Sequence, residues 1–180
     1  MEMTLRVAVL EDVPALQQLI PHAARELSKG FYTPQQIESA IQYIFGVDTQ
    51  LIADRTYYVA EAGGQLVGCG GWSKRHTLFG GDQRKAAQDP LLDPTGDAAR
   101  IRAFFTHPAW ARQGIGQRII QACEAAATAE GFTRLELVAT LPGEPLYAAM
   151  GYAVTERMDI PMPDGITLPA AHMQKVVDRK

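Results

Sequence analysis

Apolar and polar positions along the chain change period several times, and each change predicts an element. Leu5-Arg6-Val7-Ala8-Val9 alternates well enough for an opening strand. Asp12 is placed to cap a helix with Pro14 in its first turn. Val13, Leu16, Ile20, Ala24 and Leu27 recur every three or four residues, the stripe of a helix lying on a flat apolar surface. Pro21 falls inside that stripe, where it removes a donor and crowds the preceding turn, so a kink or break is expected there. Thr33-Pro34-Gln35-Gln36 reads as a second helix start, with Ile37, Ala40, Ile41 and Ile44 as its buried face. A hairpin follows, with arms Thr56–Ala62 and Gln65–Gly68 joined by Gly63-Gly64, the residues of a type I′ turn. Its second arm can continue through Gly70, Gly71 and Trp72, where absent side chains would let another group come close.

From Thr77 to Ala98 no period is visible, and Gly, Pro, Asp and Gln predominate, which predicts a long functional or mobile loop. Beyond it the pattern sharpens. A strand is predicted over 100–106, a helix over 114–130 stopped by Gly131, and a strand over 135–138. A short helix over 144–150 and strands over 152–155 and 172–177 complete the chain. Such alternation predicts an α/β, layered α+β arrangement: a mixed sheet with helices on both faces.

At 180 residues the chain suits one domain, 1–180. Hydrophobic residues at 47% and charged residues at 21% mark an ordinary globular composition, not a disordered one. Lys plus Arg is 17 and Asp plus Glu is 20, so the net charge of −3 argues against nucleic acid as a partner. No apolar run approaches the ~18–20 residues of a membrane span, and no secretory signal is visible, so no membrane partner is expected. Two distant cysteines, Cys69 and Cys123, fit no metal or redox spacing, and His22, His76, His107 and His172 form no ligand set. No metal is expected, and a reducing cytoplasm is the expected address.

The run from Phe104 to Gln117 carries the chemistry. A strand ends, about seven residues turn, and a helix opens on Gly114-Ile115-Gly116. Ile115, Ile119, Ala122, Cys123 and Ala126 share one face of that helix, so its first turn directs unpaired backbone donors outward at the positive end of the dipole. Glycines at 114 and 116 would leave those donors open, which makes a main-chain phosphate cradle. Three ligands fit such a cradle. A nucleotide P-loop lacks its Gly-Lys-Ser/Thr here. A dinucleotide fingerprint lacks its third glycine, since Ile119 stands in that place. The third is the pyrophosphate of coenzyme A.

Ala111-Arg112-Gln113-Gly114-Ile115-Gly116, with the His107-Pro108-Ala109-Trp110 lead-in, resembles the Arg/Gln-x-x-Gly-x-Gly/Ala signature of the GCN5-related N-acetyltransferase superfamily. Ala111 departs from the first position, with Arg112 beside it to restore a positive charge. Pro145-Leu146-Tyr147-Ala148-Ala149-Met150-Gly151-Tyr152 is similar to the family's second conserved segment, and the likeness spans nearly the whole chain. Where the family often has an asparagine ahead of that segment, Gly143-Glu144 stand here.

The resemblance implies a mostly antiparallel sheet of six to seven strands with a central splay, flanked by about four helices. It implies acetyl-CoA as cosubstrate, lying between the strand that ends at Thr106 and the strand around Leu137. Backbone groups of Phe104, Phe105 and Thr106 would pair with the pantetheine arm, and Ala111, Arg112, Gln113, Gly114, Ile115, Gly116 and Gln117 would hold the pyrophosphate. Tyr147 would stand near the sulfur as the acid for the leaving thiolate. The implied reaction is transfer of an acetyl group to a primary amine of a small molecule by direct attack in a ternary complex. A homodimer is compatible with the family.

For the general base the family's strand glutamate is missing, because Arg100 and Arg102 occupy that stretch. His107, Glu136, His172 or ordered water are the alternatives, and the two arginines suggest an acidic acceptor. The acceptor pocket is expected near Phe31 and Tyr32, the 77–98 loop and the last hairpin. A non-catalytic acyl-CoA-binding or sensing module is the alternative reading.

Overall fold

A computed structural model describes residues 2–85 and 88–177. Its centre is a seven-stranded sheet in the order β1-β2-β3-β4-β5-β7-β6. The strands are β1 (Thr4–Val7), β2 (Tyr57–Ala62), β3 (Gln65–Ser73), β4 (Ala99–Thr106), β5 (Arg134–Thr140), β6 (Ala153–Pro161) and β7 (Thr167–Val176). All neighbours run antiparallel except β4 and β5. The helices are α1 (Val13–Leu27), α2 (Pro34–Tyr43), α3 (Thr49–Ala53), α4 (Ile115–Ala129) and α5 (Glu144–Ala149). Alternation along the strands feeds two faces. Leu135, Leu137 and Ala139 of β5 join Ile119, Ile120 and Cys123 of α4 in one core. Tyr57, Val59 and Cys69 meet Leu16, Leu19 and Ile20 of α1 in the other.

Several local expectations hold for the reasons they were made. Gly63 and Gly64 both take positive φ, 57° and 77°, as a type I′ turn requires. Thr33 accepts from the Gln36 amide at 3.1 Å, while Gln36 Oε1 accepts from the Thr33 amide at 2.9 Å, a reciprocal cap.

Others are corrected. Helix α1 runs unbroken through Pro21, because Leu16, Leu19, Ile20, Ala23 and Ala24 bind it to the sheet on both sides of the proline. Asp12 does not cap α1 with its side chain; its carboxylate takes the Val9 amide at 2.8 Å and the Arg6 guanidinium, closing the turn before the helix. The last two strands are longer than their alternation indicates, and together they form the hairpin β6–β7. Helix α3, five residues long, is too short to show a period.

The 77–98 segment, whose Ala86 and Ala87 lie outside the described residues, is held down by charge. Asp48 is 1% exposed and caps α3 at the Gln50 amide, 3.0 Å away. The same carboxylate takes Arg102 Nη2 at 2.9 Å and Lys85 Nζ at 2.5 Å. Arg102, 2% exposed, also donates to the carbonyls of Thr77 at 3.2 Å and Gly80 at 2.5 Å. Burial pushes the Arg102 pKa down and Asp48 pushes it back up. An Asp48→Ala variant strands a buried guanidinium and should lose about 3–5 kcal/mol of stability, whereas Asp48→Leu with Arg102→Met should recover most of it. Urea midpoints check this; a single-variant loss below about 0.5 kcal/mol would contradict it.

Candidate active site

Strands β4 and β5 are paired at only two positions, Ala99↔Leu135 and Arg100↔Glu136, after which they part. From Ile101 to Thr106, β4 keeps β3 on one side and offers the main chain of its other edge to a cleft. A bulge sharpens the parting. Register with β3 passes from Cys69↔Phe105 to Gly71↔Arg102, so Ala103 and Phe104 together face Gly70. Ala103 sits at φ 56°, and its carbonyl accepts from the buried Tyr57 hydroxyl at 2.7 Å. The glycines of β3 admit what crowds there: a Cβ on Gly70 would lie 2.6 Å from the Phe104 ring, and one on Gly68 2.5 Å from Ile115 Cγ2. The close approach expected of that glycine run is therefore real, and it seats both Phe104 and the start of α4.

The cleft has a volume of about 630 Å³. Every residue expected to bind the cofactor lines it except Gln113, whose neighbours on both sides do. At its mouth the chain turns through two left-handed residues, Arg112 at φ 61° and Gly114 at φ 82°. The first amide of the segment to find a helical partner is that of Arg118, on the Gly114 carbonyl at 3.1 Å. The amides ahead of it, through Gln117, are the free donors of a helix N-terminus. Gly114 is needed for its backbone conformation, since a Cβ there would meet nothing within 4 Å. Gly116 is needed for space: a Cβ would come 2.6 Å from Leu146 Cδ2, so this glycine lets α5 close over α4.

Tyr147 stands on α5 against that opening. Its ring meets Phe104 edge to face at 6.0 Å and Tyr152 at 6.1 Å, and its residue is 8% exposed. Its hydroxyl has no hydrogen-bond partner among the described residues, and Tyr147 lines the cleft. Burial pushes its phenol above the ordinary value, so it remains protonated through neutral pH.

None of the side chains weighed as a base lines the cleft. Glu136 is held by Arg100, by His172 Nε2 at 2.9 Å and by Gln174 at 3.3 Å. His172 Nδ1 lies 2.7 Å from the Thr155 hydroxyl, and burial lowers its pKa. His107 Nδ1 accepts from the Ala109 amide at 3.1 Å. Arg100 and Arg102 are bound to Glu136 and Asp48, so neither is free to attract an acidic acceptor. Cys69 and Cys123 are buried at 1% and 0% exposure, and burial pushes the Cys69 thiol up to about 12. Among the described residues, no three His, Cys, Asp or Glu side chains converge as metal ligands.

The far end of the cleft is built by Phe31, by Phe79 of the loop and by Ile160, Leu168 and Ala170 of the β6–β7 hairpin, the three regions expected around an acceptor. Tyr32 is not among them; its buried hydroxyl donates to the Pro169 carbonyl at 2.5 Å and accepts from the Leu141 amide at 2.9 Å. Phe45, between α2 and α3, is part of this wall and was not foreseen, since it lies beyond the helical stripe.

The cleft between parting strands, roofed by a helix that opens on Gly-x-Gly, defines an acyltransferase fold. The profile of the acetyltransferase (GNAT) family matches residues 18–152, and the chain belongs to that family. Among solved structures, a GCN5-related N-acetyltransferase from Rhodopseudomonas palustris superposes with a TM-score of 0.71 at 22% identity, over 98% of this chain and 99% of that one. YncA, a putative acetyltransferase from Salmonella typhimurium solved with acetyl-CoA, gives 0.64 at 16% identity, over 99% and 95%. A PaiA N-acetyltransferase from Thermoplasma acidophilum in complex with coenzyme A gives 0.66 at 15% identity, over 98% and 99%. No curated protein matches the sequence.

With both thiols buried, the folded protein should not react with a chromogenic disulfide in the time the urea-unfolded chain needs to react at both cysteines. Mass spectrometry after incubation with acetyl-CoA should show no acylated enzyme. A native thiol that labels rapidly, or an acetyl adduct on Cys69 or Cys123, would contradict this burial.

Proposed function

We propose that the protein transfers an acetyl group from acetyl-CoA to a primary amine of a small molecule by direct attack in a ternary complex. One observation carries the reading: the free edge of β4, the unpaired amides before Arg118 and the Tyr147 side chain, whose hydroxyl has no partner among the described residues, border a single cleft. The residues present fit the cosubstrate. Amides from Arg112 to Gln117 would hold the pyrophosphate at the positive end of α4, with Arg112 adding charge. The edge of β4 at Phe104, Phe105 and Thr106 would bond the pantetheine amides as an adjoining strand does. An unpaired amide of the same edge would donate to the thioester oxygen as it becomes an oxyanion.

Tyr147 would give its proton to the departing sulfur. A thiol of pKa ~8.5 is a better acid than a phenol, so the transfer goes with expulsion of the thiolate and is completed by a proton from the attacking nitrogen. The lack of a carboxylate or imidazole on the described cleft wall is what a non-catalytic acyl-CoA-binding module would share. Turnover separates the two.

Tyr147→Phe should lower kcat about 10²-fold while the Kd for acetyl-CoA stays within about twofold. Gly114→Val, which forces a branched residue into the left-handed region, should weaken coenzyme A binding by about tenfold or more. Calorimetry and thiol-release kinetics check both. Unchanged turnover in the first variant, or unchanged affinity in the second, would overturn the assigned roles.

A further inference from the structure

The acceptor end of the cleft is apolar and lacks any base. Phe31, Phe45, Phe79, Ile160 and Leu168 form its walls, and the ionisable side chains lining the whole described cleft are Arg102, Arg112 and Tyr147. Arg112 belongs to the phosphate end. Arg102 lies in a cluster with Lys85, Asp48 and Asp89 that holds two charges of each sign. An ammonium group therefore finds no free carboxylate among the side chains lining that end, and a carboxylate finds no unpaired cation among them. Two of the three aromatic rings of the wall are already engaged: Arg84 lies over Phe79 at 4.1 Å, where its charge repels an ammonium group, and Phe45 packs edge to face on Phe105 at 5.6 Å.

We infer that the acceptor is a primary amine carried on an aromatic or branched aliphatic body and bound in its uncharged form. The inference rests on the acetyl-transfer reading and names its substrate class. A charged alkylamine entering such a wall without a partner gives up its proton to solvent, because desolvation disfavours the cation. An aromatic amine is neutral before it binds. The missing base then ceases to be a difficulty. The nitrogen lone pair attacks the thioester carbonyl, the C–N bond forms and the C–S bond breaks. The nitrogen loses one proton and the sulfur gains one, relayed by the Tyr147 hydroxyl, leaving an amide and free coenzyme A.

Phe31 offers the cleanest variant. It is 50% exposed at the rim of the cleft, so its replacement leaves the core intact. The full chain is assayed by thiol release at saturating acetyl-CoA with 2-phenylethylamine, p-toluidine, spermidine and glutamate. The two amines that carry an aryl ring should exceed spermidine and glutamate in kcat/KM by at least about tenfold, the ratio one buried aromatic body supplies. Phe31→Asp should cut kcat/KM for 2-phenylethylamine by about tenfold and narrow its advantage over spermidine, with acetyl-CoA affinity unchanged by calorimetry. Phe31→Ala should reduce the aromatic rates without helping spermidine.

Preference for spermidine or glutamate would overturn the substrate class and leave acetyl transfer standing. Acetyl-CoA binding without turnover of any amine would overturn the substrate class and favour a binding module. Loss of both binding and turnover would overturn the acetyl-transfer reading and this inference with it.

Discussion

Two pairs of residues, Ala99 with Leu135 and Arg100 with Glu136, hold β4 and β5 together, and beyond them the sheet opens. Parallel strands in a buried sheet ordinarily continue their ladder, because unpaired peptide groups away from water cost free energy. Here the opening is enforced from the β3 side. The bulge at Ala103 and Phe104 turns β4, the Tyr57 hydroxyl secures the Ala103 carbonyl, and the bare Gly70 receives the Phe104 ring. Beyond Arg100 the edge of β4 that faces β5 is thus left without a strand partner, as the proposed pairing with a pantetheine arm requires. The start of α4, drawn onto β3 at Gly68, places the helix donors at the mouth of the same opening.

Charge is placed to leave that opening nearly neutral within. Arginines on β4 stand where a carboxylate base would be useful, yet both serve the scaffold: Arg100 binds Glu136, and Arg102 fastens the 77–98 segment to α3 through Asp48. A buried pair of this kind adds little to stability beyond a hydrophobic replacement, but it fixes where the loop and Phe79 lie. The proposed acceptor wall would therefore owe its shape to an ion pair and its chemistry to apolar side chains. Burial raises the Tyr147 phenol above its ordinary value, so it stays protonated, as the proposed role of proton donor to sulfur requires.

Legibility of the chain followed the range of the interactions. The Thr33 cap, the Gly63-Gly64 turn and the α4 stripe are settled within a few residues of sequence and were readable there. Pro21 misled because local helix rules omit the sheet that clamps α1 on both sides of it. Helix α3 escaped because five residues show no period, and the Asp48–Arg102 pair because its members lie 54 positions apart and neither stands in a pattern. In the site, the Gly-x-Gly cradle and Tyr147 carried recognisable local signals. The acceptor wall did not, since Phe31, Phe45, Phe79 and Leu168 come from four separate segments that only the tertiary fold brings together.

Free main-chain donors before Arg118 and the open edge of β4 would together receive one thioester carrier. Backbone amide NMR during titration of the isotopically labelled full chain with coenzyme A can follow both at once. The largest shifts should fall on the amides of Arg112 to Gln117 and of Phe104 to Thr106, with those of β1 and α2 unmoved. Saturable binding that leaves the 112–117 amides in place would contradict it.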